Sequence, residues 1–157
     1  MEGTPRLRTE AFHFPQLVPT VGVGLSLFHR RVYDALLLGS SPPSVQGVFV
    51  APHRLLVTQA SLVSIEAVVP DGTDYDVFTL YNMGTAGAVV HTIGTLDTSS
   101  VGLVQYTPRD FTLTTDAGYA SRIVEKGEFV KAEFTIEGNG AEIMFANVYL
   151  YCVPLEG

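Results

Sequence analysis

From Val45 onward the chain is written in short apolar runs broken by turn residues. Val45–Ala51 and the run from Arg54 to Val69 are dominated by Val, Ile, Leu, Phe and Thr, with Pro52 between them. Branched side chains of this kind sit well on a pleated, half-buried surface, so both runs predict strands. Proline cannot donate to a ladder, which makes Pro52 a corner. Further strands are predicted at Asp76–Tyr81, Ala88–Ile93, Val101–Tyr106, Asp110–Thr114 and Tyr119–Val124. Pro70-Asp71-Gly72, Asn82–Gly84, Asp97–Ser100 and Asp116–Gly118 supply the turns between them. The clearest period of two lies near the end. Val130, Ala132, Phe134 and Ile136 alternate with Lys131, Glu133, Thr135 and Glu137, giving one buried face and one wet face. Glu142–Val153 is apolar at both parities and should lie centrally in a sheet or be covered. Eight or nine short strands without a convincing helix predict an all-β, jelly-roll-like β-sandwich.

What precedes this is different in kind. Residues 1–44 carry prolines at 5, 15, 19, 42 and 43 and glycines at 3, 22, 24 and 39, which prevent long regular structure. They read as an extended N-terminal arm, with residues 45–157 as the sandwich body. Leu7, Phe12, Phe14, Leu17 and Val18 are apolar anchors that water would leave uncovered, so the arm should pack on its own body or on a neighbouring chain. Arg6 and Arg8 would seek acidic partners there. Leu25–Leu38 admits three helical turns or a strand. Gly22 and Gly24 offer no good helix start, which favours extended structure.

Composition changes the picture in three places. The 157 residues carry a formal charge of −7, distributed as +1 up to Ser44 and −8 beyond it. An acidic body lacks the basic face of a general nucleic-acid binder, so no nucleic-acid partner is expected. No apolar run approaches the roughly 20 residues of a membrane span, and MEGTPRLRTE is not a signal peptide. Synthesis in the cytoplasm and no membrane partner are expected. Cys152 is the single cysteine; it excludes an intrachain disulfide and reads as a small core residue.

Candidate chemistry is sparse. The sequence has no phosphate loop, no nucleophile elbow and no H-E-x-x-H or H-x-H pair. His13, His29, His53 and His91 are scattered. Asp71, Asp74 and Asp76 in DGTDYD are the best oxygen cluster for Ca²⁺, but the bidentate Glu of an EF-hand is missing, and a solvated turn is the simpler reading. Glu125, Glu128 and Glu133 read as surface solubility. The chain contains no tryptophan, which disfavours a sugar-stacking groove. No catalytic residue, metal or cofactor is assigned. The stretch Tyr81–Leu96 carries almost no charge, and Tyr81, Met83, Val89, Val90 and Ile93 are candidates for a subunit interface or a covered inner strand.

The runs VFVAPHRLLVTQASL, DYDVFTLYNMGTAG and VEKGEFVKAEFTIEGNGAEIMFANVYL together resemble the capsid decoration (auxiliary, or cement) proteins of tailed phages. With arginine outnumbering lysine seven to two and the proline-studded arm, the chain looks most like one from a thermophilic phage. The resemblance covers residues 45–153 and is one of strand rhythm. It implies a non-enzymatic homotrimer seated at threefold positions on the outside of the virion. There it would bind the major capsid protein and clamp capsomers, with the arm over a neighbour. Some decoration proteins have a β-tulip fold with a short helix, and Leu25–Leu38 is the segment that would form it. The competing functional class is a calcium- or carbohydrate-binding jelly-roll module of a phage tail or receptor-binding protein.

Overall fold

The computed structural model describes residues 31–38, 44–140 and 145–155, with side chains from 48–140 and 146–155. Ten strands follow in chain order: β1 (Arg31–Leu38), β2 (Ser44–Val50), β3 (Leu55–Ser64), β4 (Tyr75–Asn82), β5 (His91–Asp97), β6 (Arg109–Asp110), β7 (Thr112–Leu113), β8 (Ile123–Val124), β9 (Phe129–Glu137) and β10 (Phe145–Pro154). One sheet has the order β1-β10-β3-β6, with β8 also paired to β3. The other has the order β2-β9-β4-β5-β7. Every pairing between them is antiparallel.

This order is a long ribbon folded over on itself. β1 pairs with β10, β2 with β9, β3 with β6 and β8, and β4 with β5. The ribbon closes into two sheets when β10 meets β3 and β9 meets β4. That winding is a jelly roll, and the expected all-β sandwich is the observed fold. β10 lies between β1 and β3, the central place its two apolar faces require. Arg31–Leu38, upstream of the boundary expected at residue 44, pairs along its whole length with β10. It is a strand, so the helix considered for Leu25–Leu38 does not form over these eight residues.

Inward faces are set by alternation. Along β4, Asp76, Phe78, Leu80 and Asn82 are buried while Tyr75, Val77, Thr79 and Tyr81 are half-exposed. Val130, Ala132 and Phe134 of β9 face the same core, as their period of two requires. Phe78 stands opposite Phe134 in the ladder, and their rings stack at 5.0 Å. β3 changes phase partway. Leu55 and Val57 are buried at odd positions, then Ala60, Leu62 and Ser64 at even ones. The cause is a β-bulge: Val57 pairs with Cys152 and Gln59 with Tyr151, leaving Thr58 as the extra residue. Cys152 is fully buried, and burial pushes its thiol up to about 12.

The structure displaces several expected strands. β3 stops at Ser64 instead of running to Val69. β5 spans His91–Asp97 and not Ala88–Ile93, because Thr85–Ala88 is spent on the turn after Gly84. Val101–Tyr106 is a loop that makes one isolated bridge, Leu103 to Val68 of loop 65–74, and is tied to the end of β3 through the Tyr106 amide and the Ser64 carbonyl. Asp110–Thr114 is two short strands in different sheets, with Phe111 crossing between them. Ala117–Arg122 is a 3₁₀ segment kinked at Gly118 and Tyr119 (φ 69° and 58°), so the strand there reduces to Ile123–Val124.

Candidate functional site

The two ends of the sandwich differ. One end, the base, gathers the loops 51–54, 83–90 and 114–128. β1 also begins there, because Arg31 stands opposite Cys152 near the end of β10. The base holds a cleft of about 210 Å³ lined by Arg54, Asn82, Val90, His91, Ala120, Ile123, Glu125 and Glu128. Its polar groups are locked to one another. The Asn82 side chain donates to Glu128 Oε2 at 2.7 Å and to the Ile123 carbonyl at 3.3 Å, while its Oδ1 accepts from Gly84 N at 2.9 Å. Glu128 Oε2 also accepts from Glu125 N at 2.8 Å, and Arg54 Nε donates to Glu125 Oε1 at 2.9 Å. Nearby, Asp116 accepts from both the amide and the hydroxyl of Ser121 at 2.8 Å, which holds its carboxyl below the ordinary range. Arg122 lies over the Tyr119 ring at 4.2 Å. These bonds fix loops, and among the described residues the cleft sets no base beside a nucleophile.

The other end, the tip, is built by loop 65–74 and loop 98–108. Val68 and Leu103 exchange both backbone hydrogen bonds at 2.9 Å, clipping the loops together. Tyr106 N donates to Ser64 O at 2.8 Å, Gln105 Nε2 to Ile65 O at 2.8 Å, and Thr107 N to Val104 O at 3.1 Å. The Arg109 guanidinium donates to the carbonyls of Val101 and Gly102. A Cβ at Gly102 would run into the Val68 carbonyl and lie 2.9 Å from Pro70 Cδ, so only glycine permits this approach. Tyr106 is held at φ 55°, which costs a non-glycine residue about 1–2 kcal/mol. On this braced frame Val69, Val101, Val104 and Tyr106 are exposed, and Ile65 partly so.

Just beneath the tip, the fully buried Asp76 faces the sandwich interior. Its backbone is tied to Thr98, with Asp76 N donating to Thr98 Oγ1 and Thr98 N to Asp76 O, both at 2.9 Å. Neither carboxyl oxygen has a hydrogen-bond partner, and burial pushes the group up to about 6. The DGTDYD carboxylates therefore separate. Asp71 accepts from Thr73 and Asp74 within its own turn, which lowers its pKa. Asp74 accepts from Asn139 N at 2.7 Å, and Asp76 points inward. No three metal-ligating side chains converge among the described residues.

The expected interface residues part company. Ile93 is fully buried in the core and Met83 is nearly buried. Tyr81 is half-exposed on the outer sheet face, with Lys131 Nζ 4.9 Å over its ring and in turn paired to Glu133 at 2.7 Å. Val89 and Val90 are exposed at the base. Arg6, Leu7, Arg8, Phe12, Phe14, Leu17 and Val18 lie outside the described residues. Sequence reading missed the tip, although Thr98–Pro108 contains no charged residue. It also read Glu125, Glu128 and Glu133 as solubility, whereas each is tied to a specific partner.

No family model matches the sequence. No curated protein matches it either. Solved structures that resemble the chain include the VP2 subviral particle of infectious bursal disease virus, at 17% identity and a TM-score of 0.38, over 80% of this chain and 32% of that one. The T13 particle of the same virus gives 18% and 0.37, over 88% and 34%. Desmodium yellow mottle tymovirus gives 10% and 0.29, over 88% and 94%. The chain thus spans about a third of the length of the two bursal disease virus chains it resembles. With TM-scores below 0.5 the likeness is loose. From its own topology, the chain is an all-β jelly-roll sandwich.

Proposed function

We propose that the chain is a structural subunit of a virus shell, of the capsid-decoration kind. It would be a non-enzymatic homotrimer that sits at threefold positions on the outside of the particle, binds the major capsid protein and stiffens the shell across capsomer boundaries. The observation carrying this reading is the distribution of exposed apolar side chains. They gather at the two ends of a braced sandwich, Val69, Val101, Val104 and Tyr106 at the tip and Val50, Val89, Val90 and Tyr119 at the base. Apolar surface at opposite ends of one rigid body suits a clamp that joins other proteins. β1 begins at the base, and from there the N-terminal arm would reach a neighbour. Leu7, Phe12, Phe14, Leu17 and Val18 would anchor that arm on a neighbouring subunit or on the capsid protein, with Arg6 and Arg8 pairing to acidic groups.

The test is co-sedimentation with empty shells from the chain's own source, using the full chain and a version beginning at Arg31. The full chain should pellet with the shells and raise the temperature at which they open. The shortened chain should remain folded and bind at least about tenfold more weakly, as loss of a wrapping segment implies. A full chain left in the supernatant overturns the proposal.

A further inference from the structure

We infer that the outward face of the β10–β3 sheet is the seat of a strap from this same chain, the segment Val21–Leu27 folded back over it. Residues 1–30 lie outside the described residues, so the seat is read from the sandwich. Along β10, Ala146, Val148, Leu150 and Cys152 are buried in the core, so Asn147, Tyr149, Tyr151 and Val153 face away from it. In the ladder these four stand opposite Val63, Ser61, Gln59 and Leu56 of β3. The face therefore presents two tyrosines and three aliphatic side chains, each half-buried. Asp110 stands opposite Ser61 and brings the one charge described at these positions, and Gln59 already donates to it at 3.1 Å and 3.2 Å. Pairing with β1 and β3 occupies the two edges of β10 and not this face. The outward face of the other sheet is different in kind. There Glu133, paired to Lys131, stands opposite Thr79, which stands opposite Thr95. Water suits that face, whereas the β10–β3 face calls for an apolar cover.

The chain's own N-terminal stretch fits that seat in pattern, length and place. Val21, Val23, Leu25 and Leu27 alternate with Gly22, Gly24 and Ser26, an apolar side and a nearly bare side at the period of an extended segment. Laid on the sheet, the apolar side would meet Tyr149, Val63 and their neighbours, and the bare side would meet water. An extended Val21–Leu27 spans about 23 Å, and the face from Asn147 to Val153 runs about 20 Å. Arg31 stands opposite Cys152, beside the Val153 end of the face, so the chain before it starts at one end of the seat. Only Phe28, His29 and Arg30 separate the strap from β1. A connection that short suffices for a reversal of the chain. It also holds the strap at an effective concentration on the order of millimolar, which a separate partner would have to exceed. Thr20–Phe28 carries no charged side chain, as a seat with so little charge requires. The anchors from Arg6 to Val18 precede the strap and stay available to a neighbour.

The inference does not depend on the shell reading, and two measurements on the isolated protein test it. The first is cross-linking of full-length V23C/Y149C and V23C/V63C with a short bis-maleimide, read by mass and peptide mapping. Cys152 is fully buried and does not compete. The second pair decides the matter if Y149C disturbs folding, which thermal unfolding checks. We expect a link within one chain, at monomer mass. A link found only between chains would give the seat to a neighbour's arm and overturn the inference, as would the absence of a link in both pairs. The second measurement is binding of an apolar-surface dye to the full chain, to V23D/L25D and to the chain beginning at Arg31. The last two should bind at least about twofold more dye than the full chain, with unfolding temperatures within a few degrees of it, because the strap lies outside the core. Equal dye binding by all three overturns the inference. Neither measurement involves shells, so co-sedimentation of the full chain tests the proposed function separately.

Discussion

Asp76 is the position where a single atom group departs furthest from its surroundings. It occupies an inward site on β4 in series with Phe78 and Leu80, and its carboxyl oxygens are buried without a hydrogen-bond partner. Burial raises its folded pKa to about 6, above that of the unfolded chain. The native state therefore holds the proton more tightly, so the group's contribution to stability is fullest below about pH 4 and is lost as pH rises through 6. Asp76→Asn keeps the shape and removes the charge. At pH 8 it should stabilise the fold by about 1–3 kcal/mol, the cost of ionising a carboxyl whose pKa burial has raised, and the advantage should shrink towards pH 4. Denaturant melts of both proteins between pH 4.5 and 8 would show this; a gap constant with pH would refute it. Gly102→Ala acts through sterics alone. Its methyl would meet the Val68 carbonyl, so the Val68–Leu103 bridge should open and cost about 1–3 kcal/mol. Faster hydrogen exchange at the Val68 and Leu103 amides is the measurement that checks it.

At the scale of elements, β3 shows how one residue sets the phase of a strand. Thr58 is the extra residue of the bulge opposite Tyr151 and Cys152. Deleting it would let Leu55, Val57, Ala60 and Leu62 alternate regularly on the same inward face. The loss would include the bond from Thr58 Oγ1 to Tyr151 O and should stay within the common range for point changes, about 0.5–3 kcal/mol. Deleting Ser61 instead would turn Leu62 outward and Val63 inward, the slip that exchanges a strand's faces. Thermal unfolding of the two deletions should give a cooperative transition for the first and none for the second. Equal behaviour would mean that the bulge does not set the phase. The run from Arg54 to Val69 reads in the sequence as one strand, and only its pairing with β10 reveals the bulge. The same holds for Asn82 and Glu128, 46 positions apart and joined at 2.7 Å.

For the whole molecule the decisive pairing is β1 with β10. It joins the first and last described strands, and eight residues of β1 cover one edge of β10. A chain beginning at Arg31 should therefore unfold within a few degrees of the full protein. One beginning at Ser44 should lose β1, expose the β10 edge and aggregate. Scattering during a thermal ramp distinguishes them, and a soluble, equally stable Ser44 version would show that β1 contributes nothing to the sandwich.

The sequence by itself determined the class of elements. Period-two alternation in β9, the doubly apolar β10, the Pro52 corner and the absence of a convincing helix are consequences of which side chains tolerate a pleat and which face water. Those are local properties, so they can be read locally. Tertiary structure decided where strands ended and what met at the ends. Val101–Tyr106 has the composition of a strand, yet it becomes a braced loop, because it bridges Val68 at one pair and Tyr106 is held at positive φ. Met83 and Ile93 sit in the same uncharged stretch as Val89 and Val90, but the fold buries the first two and exposes the others. Burial of that kind depends on partners far away in the chain, and no local pattern carries that information.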